Sequence, residues 1–82
     1  MNDHLRIPPH SVDAEQAVLG GLMLDPRAFD RVADMLAPAD FYRRDHQLIY
    51  RAVRQLAEKR KPCDAVTVGE VLLAQGHGEV IA

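Results

Sequence analysis

Apolar residues recur along this chain at the three- and four-residue spacings that are typical of amphipathic helices. The first stripe consists of Ala14, Val18 and Leu22, with Leu19 and Met23 on its flanks. A helix brings residues four apart onto one face. The pattern therefore predicts a first helix over 12–24.

Three further stripes predict three more helices. The second helix is predicted over 26–36, with the apolar residues Phe29, Val32, Ala33 and Leu36. The third is predicted over 46–59, with Leu48, Ile49, Ala52, Val53 and Leu56. The fourth is predicted over 68–75, with Val68, Val71 and Leu72. No strand-like alternation extends beyond a few residues, so the expected fold is all-α, a small orthogonal bundle of about four helices.

Local signals predict where the first two helices begin. Pro8 and Pro9 exclude a helix running through them, and Ser11 is a good N-cap for the first helix. Asp25 can cap the second helix, with Pro26 at its first position, where the missing N–H does no harm. We therefore expect a lead over 1–10 and almost no loop between the first two helices.

The later boundaries are predicted in the same way. The segment 37–40 breaks the second helix, and Phe41 and Tyr42 are expected in a single turn. Asp45 is the predicted N-cap of the third helix. Thr67 and Glu70 have the spacing of a capping box for the fourth helix. Gly76 is expected just past its end, so the globular domain is predicted over 11–76, with 77–82 as the truncated start of a following segment.

Four residues within these helices invite interpretation. Gly20 and Gly21 each cost a helix about 1 kcal/mol relative to alanine, which suggests a close approach of another helix. Glu15 is expected to stabilise the N-terminus of the first helix. The alternative is that its side chain bonds to a neighbouring helix or subunit. His46 is expected to contact Asp45 or the preceding loop.

Charge is distributed unevenly. The net charge is −2, but residues 43–61 carry seven basic and two acidic side chains, and residues 1–42 carry three basic and seven acidic ones. The basic residues are Arg43, Arg44, Arg51, Arg54, Lys59, Arg60 and Lys61. This segment could be a solvated helix face, an interface with an acidic partner, or a DNA contact with Tyr42 as the one nearby stacking aromatic.

The sequence gives little support for a catalytic site, a metal site or a membrane-spanning segment. The four histidines are scattered, the single Cys63 has no second thiol to pair with, and no phosphate-binding Gly-x-x-x-x-Gly-Lys-Ser/Thr segment occurs. No apolar run approaches the roughly 20 residues that span a bilayer. We therefore expect no catalytic, cofactor or metal site, and a cytoplasmic location.

Three segments together carry a family resemblance. They are Pro9-His10-Ser11-Val12-Asp13-Ala14-Glu15-Gln16-Ala17-Val18-Leu19-Gly20, Asp40-Phe41-Tyr42-Arg43-Arg44-Asp45-His46-Gln47-Leu48-Ile49-Tyr50 and Pro62-Cys63-Asp64-Ala65-Val66-Thr67-Val68. In order and spacing they resemble the N-terminal domain of DnaB-type replicative DNA helicases. Cys63 departs mildly from this pattern, where an aliphatic residue is more usual.

The resemblance implies an assembly role. Such helicases are hexameric rings that unwind DNA with ATP and Mg²⁺ bound in a separate motor domain, which also contacts the DNA. Their N-terminal domains form a collar that recruits primase and engages a helicase loader. A helical hairpin follows this region in the family, so this chain is expected to be a fragment that self-associates or has reduced stability. Arg43, Arg44, Arg51, Arg54 and Tyr42 are the candidate interface residues, and an independent nucleic-acid-binding domain using 43–61 is the alternative function.

Overall fold

The computed structural model describes residues 11–25 and 27–81, and within them the chain forms four α-helices and no strand. The helices are α1 (Val12–Leu24), α2 (Ala28–Val32), α3 (Arg44–Glu58) and α4 (Ala65–Ala74). Two single 3₁₀ turns accompany them, at Pro38–Asp40 and Gly78–Ile81. The all-α prediction is confirmed. The expected lead over 1–10 and the position of Pro26 lie outside the described residues.

Helix α3 is central to the packing because it contacts α1, α2, α4 and the turn at Pro38–Asp40. The stripe predicted for it is confirmed: Leu48, Ala52, Val53 and Leu56 are buried, and Ile49 packs partly buried against the core. Tyr50 is fully buried on the same helix. Its ring lies 5.1 Å from that of Phe41 and 5.9 Å from that of Phe29, and its hydroxyl donates to the Leu36 carbonyl at 2.8 Å.

Helix α1 has the predicted bounds, but its core-facing side is shifted from the predicted stripe, of which Leu22 is buried. Its buried residues are Glu15, Leu19 and Leu22, and the predicted stripe members Ala14 and Val18 are only partly buried. The helix is rotated relative to the prediction because the Glu15 carboxylate points into the protein. Ser11 is the N-cap residue, but its side chain makes no capping hydrogen bond.

The close approach predicted at Gly20 and Gly21 is wrong for the described part of the chain. A Cβ atom added at either glycine would meet no atom within 4 Å. Gly21 is exposed and Gly20 is partly exposed, so these glycines border open space.

Helix α2 is shorter than predicted, because only residues 28–32 are α-helical and the chain then continues as turns. Asp25 lies just before the start of α2, and its carboxylate accepts the Arg27 N–H at 3.0 Å. That hydrogen bond lowers the pKa of Asp25.

The single turn predicted at Phe41 and Tyr42 lies at Pro38–Asp40 instead, where Asp40 accepts the Ala37 N–H at 2.8 Å.

The predicted start of α3 is also corrected. The helix begins at Arg44, so Asp45 lies in its first turn and Arg43 is the N-cap residue. The Asp45 carboxylate accepts the backbone N–H of His46 at 2.8 Å and two hydrogen bonds from the Arg43 guanidinium. Asp45 therefore ties Arg43 to the first turn instead of capping the helix.

The capping box of α4 lies three residues earlier than predicted. The Asp64 carboxylate accepts the N–H groups of Val66 and Thr67, both at 2.9 Å, and the Thr67 hydroxyl accepts the Asp64 N–H at 2.8 Å. Thr67 is thus the last residue of the box instead of the first. Glu70 is exposed, and its side chain makes no hydrogen bond among the described residues.

Helices α3 and α4 end in the same way. In the Schellman motif the second residue past the C-cap donates to a carbonyl five positions earlier, and the first adopts a left-handed conformation. At the end of α4, Gly76 has φ of 82° and the His77 N–H donates to the Leu72 carbonyl at 2.7 Å. The prediction for Gly76 is confirmed. At the end of α3 the left-handed residue is Arg60, with φ of 56°.

Candidate functional site

A buried carboxylate joins α1 to the beginning of α3. Glu15 is fully buried and accepts the Tyr42 N–H at 2.5 Å, the Arg43 N–H at 3.5 Å and a hydrogen bond from His46 Nδ1 at 2.7 Å. An ionised carboxylate only accepts hydrogen bonds, so Nδ1 carries the proton of the imidazole that faces it. Of the two interpretations of Glu15, the bond to a neighbouring element is the one observed. His46 contacts both Asp45 and Glu15.

The environment of Glu15 favours its charged form. Desolvation of the buried carboxyl raises its pKa, but the hydrogen bonds from Tyr42, His46 and Arg43 together outweigh that cost. The pKa of Glu15 consequently lies below its ordinary value of 4.5. All three donors already face this carboxylate, so it serves the fold and has no substrate-facing role in this arrangement.

The residues of the basic segment do not form one continuous patch. The Arg43 guanidinium is paired with Asp45, at 2.9 and 2.8 Å. Arg44 and Arg51 are exposed on α3, about 10 Å apart along its axis. Arg54 is partly buried. The positive charge is therefore divided between the two ends of α3 and its outer surface.

Aromatic side chains do not interleave with these cations in the described residues. Phe41 and Tyr50 are core residues, 1% and 0% exposed, whereas Tyr42 is 56% exposed beside Arg43. Nonspecific binding of single-stranded nucleic acid uses rows of stacking aromatics within a basic groove. Tyr42 alone does not make such a row.

A groove of about 530 Å³ lies between the beginning of α2 and the end of α3. It is lined by Arg27, Asp30, Ala57, Glu58, Arg60, Lys61 and Pro62. Of the seven basic residues in the segment 43–61, Arg60 and Lys61 line this groove, whereas the interface candidates Arg43, Arg44, Arg51, Arg54 and Tyr42 do not. Arg27 and Asp30 were not predicted, because they lie about 30 positions earlier in the chain and only the fold brings them close.

Several large apolar side chains remain exposed on the other surfaces. They are Leu24 at 87%, Met35 at 69%, Val66 at 69%, Leu73 at 61% and Ile81 at 47%. Val66 and Leu73 are two turns apart on one side of α4, and Ile81 packs next to Gly69 of the same helix. Exposed apolar side chains grouped on one face are typical of contact surfaces.

Metal-binding and nucleophilic groups are sparse in the described part of the chain. Residues 11–25 and 27–81 contain no group of three His, Cys, Asp or Glu side chains that could hold a metal ion. Cys63 is buried, and desolvation with a contribution from Asp64 raises the pKa of its thiol. Such a thiol stays protonated at neutral pH and is a weak nucleophile.

None of the helices formed by the described residues has the length and the apolar character that are needed to span a bilayer.

Comparison with known proteins identifies the family. The DnaB-like helicase N-terminal domain family matches residues 7–82. The chain belongs to this family. The resemblance of its three sequence segments is thus confirmed across nearly the whole chain, and the all-α fold agrees with it.

Curated relatives of this DnaB-like domain are replicative helicases. The chain is 47% identical over 76 residues to the replicative DNA helicase DnaB of Geobacillus stearothermophilus, which covers 93% of this chain and 17% of the relative. It is 42% identical over 79 residues to the replicative DNA helicase DnaB of Buchnera aphidicola subsp. Schizaphis graminum, covering 96% of this chain and 17% of the relative. The replicative DNA helicase DnaC of Bacillus subtilis is 47% identical over 68 residues, covering 83% of this chain and 14% of the relative. The chain therefore spans about a sixth of these relatives.

Proposed function

We propose that this DnaB-like domain is the assembly and partner-docking part of a replicative DNA helicase, and that it catalyses no reaction itself. The supporting observation is the family match over residues 7–82, together with relatives that are replicative helicases. In this proposal the domain forms part of the collar of a hexameric ring. ATP and Mg²⁺ act in a separate motor domain, which also engages the DNA being unwound.

The surface described above suits such a role. Large apolar side chains such as Leu24 and Leu73 are exposed, and charged side chains line an open groove. The buried polar groups, in contrast, are engaged within the fold, as Glu15 and His46 illustrate. We propose that the exposed surfaces bind sibling copies, primase and, at helicase loading, the loader protein. Tyr42, Arg44 and Arg51 remain the interface candidates, while Arg43 and Arg54 are constrained by an ion pair and by partial burial.

A binding experiment with the purified chain tests this proposal. We expect the helicase-binding domain of primase to associate with the chain, as measured by isothermal titration calorimetry, and we expect no binding of ATP. Sedimentation of the chain alone should show concentration-dependent self-association, because its apolar side chains are exposed. A strictly monomeric chain that binds no primase domain would contradict the proposal, as would hydrolysis of ATP by the purified chain.

The same preparation distinguishes the nucleic-acid alternative. A domain that uses 43–61 to bind DNA should bind a labelled oligonucleotide at low salt and lose affinity steeply as salt rises. We expect weak binding at most, because Arg43 is already paired with Asp45 and aromatic side chains do not interleave with the arginines in the described residues. Tight, strongly salt-dependent binding that is lost in Arg44→Ala and Arg51→Ala would favour the alternative.

A further inference from the structure

The groove between α2 and α3 is built from opposite charges contributed by two separate elements. Arg27 and Asp30 come from the beginning of α2, and Glu58, Arg60 and Lys61 come from the end of α3. All five side chains are exposed. Ala57 and Pro62 add apolar surface between them. The groove thus offers three cations, two anions and a small apolar area to anything that enters it.

Arg60 occupies a backbone conformation that does not suit it. Its φ of 56° lies in the left-handed region, where L side chains are disfavoured and glycine is not. The Arg60 N–H donates to the Ala57 carbonyl at 3.1 Å, and the Lys61 N–H donates to the Leu56 carbonyl at 2.9 Å. Helix α4 ends in the same motif with Gly76 at this position. Arginine is thus present at a position where the backbone favours glycine.

The charged side chains of the groove are largely unpaired within the described residues. Among residues 11–25 and 27–81, the side chains of Arg60, Lys61, Asp30 and Glu58 make no ion pair within 4 Å. Within the same residues the Arg27 side chain is paired with Asp25 alone, at 3.5 Å, and is 84% exposed. As far as the described part of the chain extends, the charges that line the groove can therefore pair with charges of a partner.

We propose that this groove binds a predominantly acidic polypeptide segment of a partner protein. Carboxylates of that segment pair with Arg27, Arg60 and Lys61, and an apolar side chain contacts Ala57 and Pro62. This inference rests on the docking function proposed above and specifies one docking surface and the chemistry of its ligand. Arginine suits the task because its guanidinium can bind a carboxylate through two parallel hydrogen bonds.

The two acidic side chains favour a polypeptide over a nucleic acid. A phosphate backbone carries a negative charge at every nucleotide, so Asp30 and Glu58 would repel it along the groove. A peptide can instead present N–H groups or a lysine to these two carboxylates. Among the described residues, the groove lining includes no aromatic ring on which a base could stack.

A titration with a defined probe tests the inference. The probe is a fluorescein-labelled peptide of about twelve residues, roughly half glutamate and half alanine, whose binding to the full 82-residue chain is followed by fluorescence anisotropy. We expect Arg60→Gly to weaken binding by roughly five-fold, and we expect Arg27→Ala combined with Lys61→Ala to weaken it further. Arg60→Gly is informative because glycine suits the left-handed backbone, so a loss of affinity would occur without a loss of stability.

Arg31→Ala is the matched control, since it removes one exposed positive charge of α2 that does not line the groove. We expect this variant to bind the peptide within about two-fold of the unchanged chain. An equal loss in Arg31→Ala, or in Arg51→Ala on α3, would overturn the inference because binding would then follow overall charge. Undetectable binding of the peptide at millimolar concentration would also overturn it.

A further titration, with a labelled oligothymidine of the same charge, distinguishes the class of ligand. Tighter binding of the oligothymidine than of the peptide, lost in Arg60→Gly, would overturn the assignment to a polypeptide.

A failure of the groove inference can be distinguished from a failure of the proposed primase association. If groove variants leave peptide binding unchanged while the primase domain still associates, only the groove inference fails. If Arg60→Gly weakens peptide binding and the primase domain does not associate, the groove stands and the primase role fails.

Discussion

Removing the Glu15 carboxylate should destabilise the fold strongly, because this group is the buried acceptor that joins α1 to the start of α3. In Glu15→Ala the Tyr42 N–H and the His46 Nδ1–H would lose acceptors at 2.5 and 2.7 Å, and the Arg43 N–H would lose a longer one at 3.5 Å. All three donors would be left without an acceptor beside a new cavity. The connection between α1 and the start of α3 would then be lost.

The expected magnitude follows from the two short hydrogen bonds. A hydrogen bond to a charged group contributes about 1.5–3 kcal/mol, and breaking a buried charged pair costs about 3–5 kcal/mol. We therefore expect Glu15→Ala to lose about 3–5 kcal/mol of the free energy of unfolding. A domain of this size has roughly 4–12 kcal/mol in total. Glu15→Gln, which keeps one acceptor oxygen but loses the charge, should lose about 2–4 kcal/mol.

Urea unfolding followed by far-UV circular dichroism measures these differences. Glu70→Gln is the control, because the Glu70 side chain is exposed on α4 and makes no hydrogen bond among the described residues. It should change the free energy of unfolding by less than about 0.5 kcal/mol. If Glu15→Ala cost no more than Glu70→Gln, the carboxylate would not hold α3 in place and the reasoning would be refuted.

The same carboxylate predicts a pH dependence whose sign can be checked. The pKa of Glu15 is lowered in the folded chain, so the unfolded chain binds a proton at a higher pH than the folded one. The stabilisation is therefore present above its ordinary value of 4.5 and is lost as pH falls through the folded pKa. The stability difference between the unchanged chain and Glu15→Gln should shrink over that acidic range. A difference that stayed constant from neutral pH down to about pH 3 would contradict this linkage.

Further substitutions should give smaller effects of known sign. Arg60→Gly should raise the free energy of unfolding by up to about 1 kcal/mol, whereas Gly76→Ala at the equivalent end of α4 should lower it by a similar amount, both measured by urea unfolding. Asp64→Ala should cost about 1 kcal/mol through the lost capping bonds, and an equal cost for Glu70→Ala would show that the box had been assigned wrongly. Tyr50→Phe should cost about 1–2 kcal/mol, because the Leu36 carbonyl loses its donor; an unchanged thermal midpoint would contradict that hydrogen bond.

The secondary structure was largely predictable because its signals are local. Apolar spacing gave the bounds of α1 correctly and identified the buried stripe of α3. The start of α4 was missed because Asp64 and Thr67 are both good N-cap residues, each followed by a second capping residue three positions later. Starting at Asp64 adds almost one turn of backbone hydrogen bonds, a gain that the capping chemistry alone does not reveal.

The candidate site was less predictable, because neither the pairing of neighbouring charges nor the approach of residues distant in sequence follows from the sequence pattern. The run of basic residues was visible, but the sequence did not reveal that Arg43 would be paired with Asp45 or that Arg27 would come close to Arg60. The left-handed backbone at Arg60 also had no sequence signal, since arginine is not the residue that this conformation normally selects. Only the packing of α2 against α3 brings these groups together.

Glu15 explains why the core-facing side of α1 is shifted from the predicted stripe. An acidic residue in the first turn of a helix normally stabilises the helix dipole from the surface, which is the role that the sequence suggested. In this fold the carboxylate turns inward and accepts hydrogen bonds from Tyr42, Arg43 and His46, so the core-facing side of α1 shifts toward Leu19. The carboxylate thus fixes the start of α3, whereas the groove cations at the other end of this helix depend on the packing of α2 against α3.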